Sequence, residues 1–488
     1  MSSNLNNVEP MQLDASIDDG EIYELNEPST PINPDQLVHK VESAPFEVES
    51  YISQYSGYLK LMRLLFIADH CPSLQIDALE QALKFVKEST FNVNAYGNIH
   101  KKLIDALALN GQSSKINLYS LDTVWMEEKS KMSQIYFEKL DNDLKNYKTN
   151  SIKESIRRGH DDLGIHYLQC GDLGNALKCF SRSRDYCMGE QQMLNICLNV
   201  IKISIYQRNW LHVNSFICKA ENSPEMQTNS AAKTKINCLA GLYDLVTKRY
   251  KNAVKRFMAA NIDEISTDFS DVLSANNVAI YGGLCALATL NRSALHKQVI
   301  SNTNYKLFLE LEPQLRESIH KFYESKYTVC LSLLDEMKDS FLLDMFLAPR
   351  IDELYSMIRN RALVQYFSPY LSADLVLMAR SFNTTITLLE DELMQLILDG
   401  QIQARIDSHN KILYAKDSDE RLTTFENSLE MGRKWQMKTA AFILRAACSR
   451  NGHIVVSPQI ATKGDEVPSS QSTLTNICAP SSPGKSRN

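Results

Sequence analysis

Apolar residues along most of this chain recur at three- and four-residue intervals, the spacing of one helix face. The stretches YISQYSGYLKLMRLLFIADHC, from Tyr51, and IDALEQALKFVKEST, from Ile76, keep the i, i+3, i+4, i+7 pattern and predict amphipathic helices. SLDTVWMEEKSKMSQIYFEKLDNDLKNYKTN, from Ser120, predicts a longer and more charged helix. Together they define an N-terminal helical region at 46–150.

From Gly159 to Cys187 the pattern is that of a helix–turn–helix repeat of the tetratricopeptide kind. Leu163, Gly164 and Tyr167 share one face of a first helix, and Ala176, Phe180 and Ser183 share one face of a second. Gly171 falls at the turn, where a residue without Cβ tolerates unusual dihedrals. Small residues at Gly164 and Ala176 let the helices approach, while Tyr167 and Phe180 fill the layer. The pattern returns: Trp210 precedes Val213, Ile217 and Ala220, Tyr250 precedes Ala253, Phe257 and Ala260, and Tyr327 precedes Cys330 and Leu334. The anchors at 176, 213 and 253 are 37 and 40 residues apart, which predicts a helical-repeat solenoid over 151–300.

Over 301–416 the chain reads as a further domain, and at Ser372 the pattern changes. SADLVLMARSF predicts a short helix, and NTTITLLEDELMQLILDG a second, with Thr387 and Glu390 as a capping box and Gly400 as a stop. QIQARID and KILYAK then alternate like strands around the turn SHN. Helix, helix and a two-stranded wing predict a winged helix at about 372–416. Winged helices often read DNA through the second helix. Here that helix carries Glu390, Asp391, Glu392 and Asp399, and no Lys or Arg lies between Ser381 and Ala404, so phosphates would be repelled. Protein docking is the expected use, with Lys411, Ile412, Leu413 and Tyr414 as an edge strand.

A last helix is predicted over 417–450. Leu422, Phe425, Leu429, Gly432, Gln436, Ala440, Ile443 and Ala447 follow heptad-like spacing, and Trp435 and Phe442 add a second apolar edge. Such a helix either folds back or joins a bundle of partner helices; the bundle is the expected arrangement.

Composition changes this picture only at the ends. Nine of the 14 prolines lie in 1–45 and 458–488, and a near-absence of Pro suits a helical middle. Residues 1–35 carry eight acidic side chains and no Lys or Arg, and residues 451–488 carry seven Ser and four Pro, with two Ser-Pro dipeptides. Both ends, an acidic segment at 1–45 and a Ser/Pro-rich tail at 451–488, are expected to be disordered. The net charge of −6 gives no reason to expect nucleic-acid or anionic-membrane binding. The longest charge-free stretch, Val272–Asn291, has too short an apolar core for a membrane span. Eleven cysteines without a C-x-x-C, after a start lacking a signal peptide, suit a reducing compartment.

The repeat at 159–187 also holds two His, four Asp and three Cys, the vocabulary of metal sites. His166 and Cys170 are i, i+4 on one helix and share a face, but a metal needs a third and fourth ligand, and Cys179 sits beside the packing position Phe180. Buried thiols and a solvated polar face are the expected reading, with Asp161 and Asp162 near a helix start.

Helical repeats feeding a winged helix and a terminal helix resemble the PCI architecture of the proteasome lid, the COP9 signalosome and translation initiation factor three. The long stretches KESIRRGHDDLGIHYLQCGDLGNALKCFSRSRDYC, LNVIKISIYQRNW, ANNVAIYGGLCALATL, LLDMFLAPRI and IRNRALVQYFSPY resemble the subunit 1 family of the COP9 signalosome, over about residues 50–450. That resemblance implies a non-catalytic scaffold in the complex that removes NEDD8 from cullins, cytoplasmic and nuclear, without a cofactor. It implies contacts with other PCI and MPN subunits through the winged helix and terminal helix, and with cullin–RING ligases through the complex. Catalysis in that complex belongs to an MPN-type zinc metalloprotease subunit, whose chemistry needs H-x-H; here no two of the ten histidines are separated by a single residue. Alternatives are the paralogous proteasome-lid subunit, a hydrolase built on the His/Asp/Cys cluster, and a winged-helix transcription factor.

Overall fold

The computed structural model describes residues 41, 47–110, 119–224, 229–264, 270–416 and 420–451. The expectations for the acidic N-terminal segment and the Ser/Pro-rich tail fall outside these residues, apart from Val41 and Asn451. Two compact units divide the chain after Ala415.

The first unit opens with α1 (Val48–Ile52), α2 (Gly57–His70), α3 (Gln75–Ser89), α4 (Val93–Leu109) and the long α5 (Thr123–Thr149). The solenoid follows as α6 (Lys153–Cys170), α7 (Leu173–Arg184), α8 (Glu190–Tyr206), α9 (Trp210–Glu221), α10 (Ser230–Val246), α11 (Tyr250–Met258) and α12 (Ala275–Thr289). Helices α6 to α11 each pack chiefly on the one before and after, as a stack of repeats must to bury its apolar faces, while α12 packs on α11 and on a later helix, Ile351–Phe367. Next come α13 (Arg292–Leu295), running into a π-turn at His296–Ile300, then α14 (Thr303–Leu309), α15 (Pro313–Tyr323), α16 (Tyr327–Leu342) and α17 (Ile351–Phe367).

The repeat turns share one backbone device. Residues 171, 208, 248 and 325 all adopt positive φ, between 56° and 83°. The next residue in each case, Asp172, Asn209, Arg249 or Lys326, donates its N–H five residues back, to the carbonyl of Tyr167, Ser204, Asp244 or Lys321. This is the six-to-one bond of a Schellman stop. Only the first of the four turns uses glycine; Arg208, Lys248 and Ser325 hold the same left-handed geometry with a Cβ. Asp172 and Asn209 then turn their side chains to cap the following helix, accepting from the amides of Asn175 and His212.

The winged helix is built from β1 (Ser372–Asp374), α18 (Leu375–Ser381), α19 (Ile386–Leu398), β2 (Ala404–Asp407) and β3 (Ile412–Ala415). Two features differ from the sequence reading. Ser372–Asp374 is a strand, not the start of a helix: Ser372 pairs with Tyr414 and Asp374 with Ile412, and Asp374 caps α18 through the amide of Val376. The capping box at Thr387 and Glu390 does not form, because α19 begins at Ile386 after Thr385, which makes no side-chain cap, and Glu390 bonds Lys411 instead.

One apolar core runs from the N-terminal helices through the solenoid to Leu413 of β3. Inside it lies a polar knot. Arg63 of α2, 1% exposed, donates to Asp344 at 2.7 Å and to the Tyr51 hydroxyl at 2.7 Å. The Tyr281 hydroxyl and the Asn277 amide of α12 complete the shell around Asp344. The second unit contains α20 (Glu420–Arg450), a single 31-residue helix.

Candidate interaction site

The repeat-packing residues come together as a ring against a bare backbone. Gly164 faces the ring of Phe180 so closely that a Cβ there would lie 2.7 Å from Cε2. Sequence reasoning missed that the contact recurs: Gly241 meets Phe257 at the same 2.7 Å and the same 16-residue spacing. The signal was present as Gly241-Leu242, which repeats the order of Gly164-Ile165 in the first repeat, five or six residues before the helix end. Leu163, Ala176, Phe180, Ala253 and Phe257 are buried, whereas Tyr167 is half-buried and packs against Phe137. Gly171 takes φ +83° and sits against Asn92, the cap of α4, where no Cβ fits.

His166 and Cys170 do share a face, with Sγ 3.6 Å from Nε2, and Ser133 of α5 reaches both. The arrangement is poorly suited to nucleophilic chemistry: burial pushes the Cys170 thiol up and the His166 imidazole down, each toward its neutral form. Cys179 belongs to a separate apolar cluster with Leu144, Ile156 and Leu163. Among the described residues no three His, Cys, Asp or Glu side chains converge to hold a metal. Asp161 and Asp162 lie in the middle of α6, not near its start, because the helix begins eight residues earlier at Lys153; Asp161 bonds Arg157 and Ser183 rather than the helix dipole.

In the winged helix the strand order is β1-β3-β2. Lys411–Tyr414 is therefore not an edge: β3 is the central strand, paired on one side by β2 and on the other by β1. Its position follows from the unforeseen β1, whose flanks also bond it, Ala415 N–H to Leu371 and Leu375 N–H to Lys411. Leu413 is buried under the sheet, Ile412 is half-buried, and Tyr414 points outward beside Ser372 and Arg405, its cross-strand partners. Lys411 takes a left-handed turn conformation (φ +55°) and pairs with Glu390. The free edges belong to β1 and β2. On α19, Glu392 takes both its oxygens to Arg359 of α17 at 3.0 Å, so the acidic face is partly consumed inside the domain. Leu388, Met394 and Leu398 of α19 remain exposed.

Along α20 the apolar residues Leu422, Phe425, Leu429, Trp435, Phe442 and Ile443 are all exposed, Phe442 by 72%. Six large apolar side chains exposed on one helix exceed the singly scattered apolar residues of an ordinary surface and mark a candidate interaction face. Among the described residues no helix is long and apolar enough to cross a membrane.

Three family models match successive segments: 26S proteasome subunit RPN7 at 122–298, PCI domain at 332–417, and COP9 signalosome complex subunit 1, C-terminal helix, at 421–447. The chain is 48% identical to the COP9 signalosome complex subunit 1b of Drosophila melanogaster, over 92% of both chains. It is 41% identical to COP9 signalosome complex subunit 1 of Arabidopsis thaliana, over 83% of this chain and 90% of that protein. Similarity to the 26S proteasome non-ATPase regulatory subunit 6 of Caenorhabditis elegans is lower, 23% over 57% of this chain and 68% of that one.

Proposed function

The chain belongs to the COP9 signalosome subunit 1 family, and on that premise we propose that it is a non-catalytic scaffold subunit of the COP9 signalosome. In this reading it supports removal of NEDD8 from cullins and so regulation of cullin–RING ubiquitin ligases, in cytoplasm and nucleus. The observation that carries it is the last helix. The match at 421–447 is to a model specific to this family, and it covers the segment whose apolar side chains are exposed in the isolated chain. The proteasome-lid reading has support only from more distant relatives.

The division of labour in this reading has support in the sequence. The sequence lacks the paired H-x-H that a zinc isopeptidase of the MPN type needs, so the cleaving group belongs to a partner. The repeats at 151–300 would hold the winged helix in place. The module at about 372–416 would join neighbouring PCI subunits by adding strands at the free edges of β1 and β2. Helix α20 would enter a bundle with PCI and MPN subunits, with Phe425, Leu429 and Ile443 as knobs.

The test is purification of the tagged full-length chain from its own cells, followed by native mass spectrometry and a NEDD8–cullin cleavage assay on the same fraction. A multi-subunit assembly that cleaves, from which the recombinant chain alone differs in being inert, is expected. Recovery with proteasome ATPases, or cleavage by the isolated chain, would overturn the reading.

A further inference from the structure

Where α12, the α15–α16 turn and the end of α17 meet, a cleft of about 500 Å³ opens, lined by Arg292, Arg361, Tyr327, Gln365, Ser325 and Ser368 among others. It shares Asn291 and Arg292 with a second cleft that carries His296 and Lys297. Arg292, Lys297 and Arg361 are the charged side chains of the two linings, joined by the titratable His296, and no Asp or Glu lines either. The nearest acid in sequence, Glu324, is already engaged by Lys326 at 2.8 Å.

The two arginines are held rather than free. Arg361 donates Nε to the Leu290 carbonyl at 3.1 Å and Nη2 to Asn291, so its guanidinium is fixed without a carboxylate among the described residues. Burial acts on it unopposed and lowers its pKa. Arg292 and His296 both lie against the Tyr323 ring, at 5.1 and 5.3 Å. Deeper in the wall, Tyr327 is 3% exposed. Its hydroxyl and the Gln365 amide nitrogen complete no hydrogen bond of normal geometry, although Ser325 and Gln365 stand beside the hydroxyl. Held guanidiniums in a cleft lined by no carboxylate describe a site that lacks its anion.

We propose that this cleft binds a phosphate monoester. A dianion with three acceptor oxygens answers the two guanidiniums, whereas a single carboxylate leaves charge uncompensated. The volume exceeds that of a phosphate group, and Val364, Pro369, Tyr366 and Tyr370 supply apolar wall for the group that carries the phosphate.

The test uses the full-length chain at low ionic strength, with binding followed calorimetrically. The probes are a short phosphoserine peptide, phenyl phosphate, inorganic phosphate, and benzoate as the carboxylate control. Saturable binding of the phosphates is expected, weakened about tenfold or more by Arg292→Glu and by Arg361→Gln. Thermal unfolding without ligand checks that each variant folds, and Arg292, being exposed, can change without touching the core. A peptide preference would identify a phosphorylated protein segment as the source; equal binding of phenyl phosphate would identify a soluble ester. Benzoate binding as tightly as phenyl phosphate, no saturable binding, or full affinity in the folded Arg292→Glu variant would each overturn the proposal.

Discussion

Arg63 and Asp344, 281 positions apart in the chain, form a buried ion pair at 2.7 Å that ties the second helix to the segment joining α16 and α17. Tyr55 lies under the guanidinium at 4.3 Å, and Tyr51 and Tyr281 share its hydrogen bonds. Desolvation works against the charged arginine, yet Asp344 and the surrounding tyrosines outweigh it and its pKa rises. The charge therefore stays buried because it is paired, and each partner depends on the other.

Removing one partner leaves the other charged and dry. Arg63→Met and Asp344→Leu are each expected to cost about 3–5 kcal/mol in urea unfolding, and the double variant less than their sum, with a remainder because Asp344 also accepts from Tyr281, Asn277 and the amides of Phe346 and Leu347. Additive losses would mean that the two residues act separately.

The glycine–phenylalanine contacts predict strain on enlargement. Gly164→Ala and Gly241→Ala each push a Cβ to 2.7 Å from a buried ring and are expected to destabilise by about 1–3 kcal/mol. Combining Gly164→Ala with Phe180→Leu should cost less than the sum. Phe180→Ala alone should cost about 3–5 kcal/mol, and Tyr167→Ala less, because Tyr167 is only half-buried. Equilibrium denaturation of the set checks the register of the repeat.

Two Schellman turns carry a side chain where glycine would rest without strain. Arg208→Gly and Lys248→Gly, at φ +56° and +62°, are expected to stabilise by about 1 kcal/mol, offset in part by the entropy of a freer unfolded chain. Lys248 also pairs with Glu353 at 2.6 Å, so its replacement is expected to gain less, and a net loss in thermal unfolding would show that side-chain contacts outweigh the backbone strain.

His160 predicts a pH dependence. Burial, with Lys148 and Arg182 adding to it, holds its imidazole down at about 4. The folded value lies below the unfolded one near 6.5, so the stability from neutral His160 is full above pH 6.5 and is lost as the pH falls toward 4. The loss between pH 7 and 5 is expected to be about 1–2 kcal/mol. His160→Phe, which keeps a ring against Tyr186, should flatten the profile by that amount in denaturant titrations at each pH.

The terminal helix separates folding from assembly. Phe425→Glu, Leu429→Glu and Phe442→Glu replace side chains that are exposed in the isolated chain, so its unfolding should change by less than about 0.5 kcal/mol. Co-purification with partner subunits should fall sharply. Unchanged assembly would remove α20 from the interface.

The sequence by itself determined the helices, their repeat and the first repeat turn. Apolar spacing and Gly171 act within a few residues, and local rules read them. It also showed the wing hairpin through alternation on both sides of a polar turn, and the long apolar-edged helix at 420–450. Only the tertiary structure decided where those pieces meet. β1 has three residues, too few to show a period, and is a strand because Tyr414 and Ile412 are there to pair with it; that pairing alone moved β3 from the edge to the centre. Glu390 and Glu392 left the acidic face for Lys411 and Arg359, and Arg63 found Asp344, through contacts between distant segments. Periodicity is a property of neighbours in the chain, while pairing of strands and charges is a property of neighbours in space.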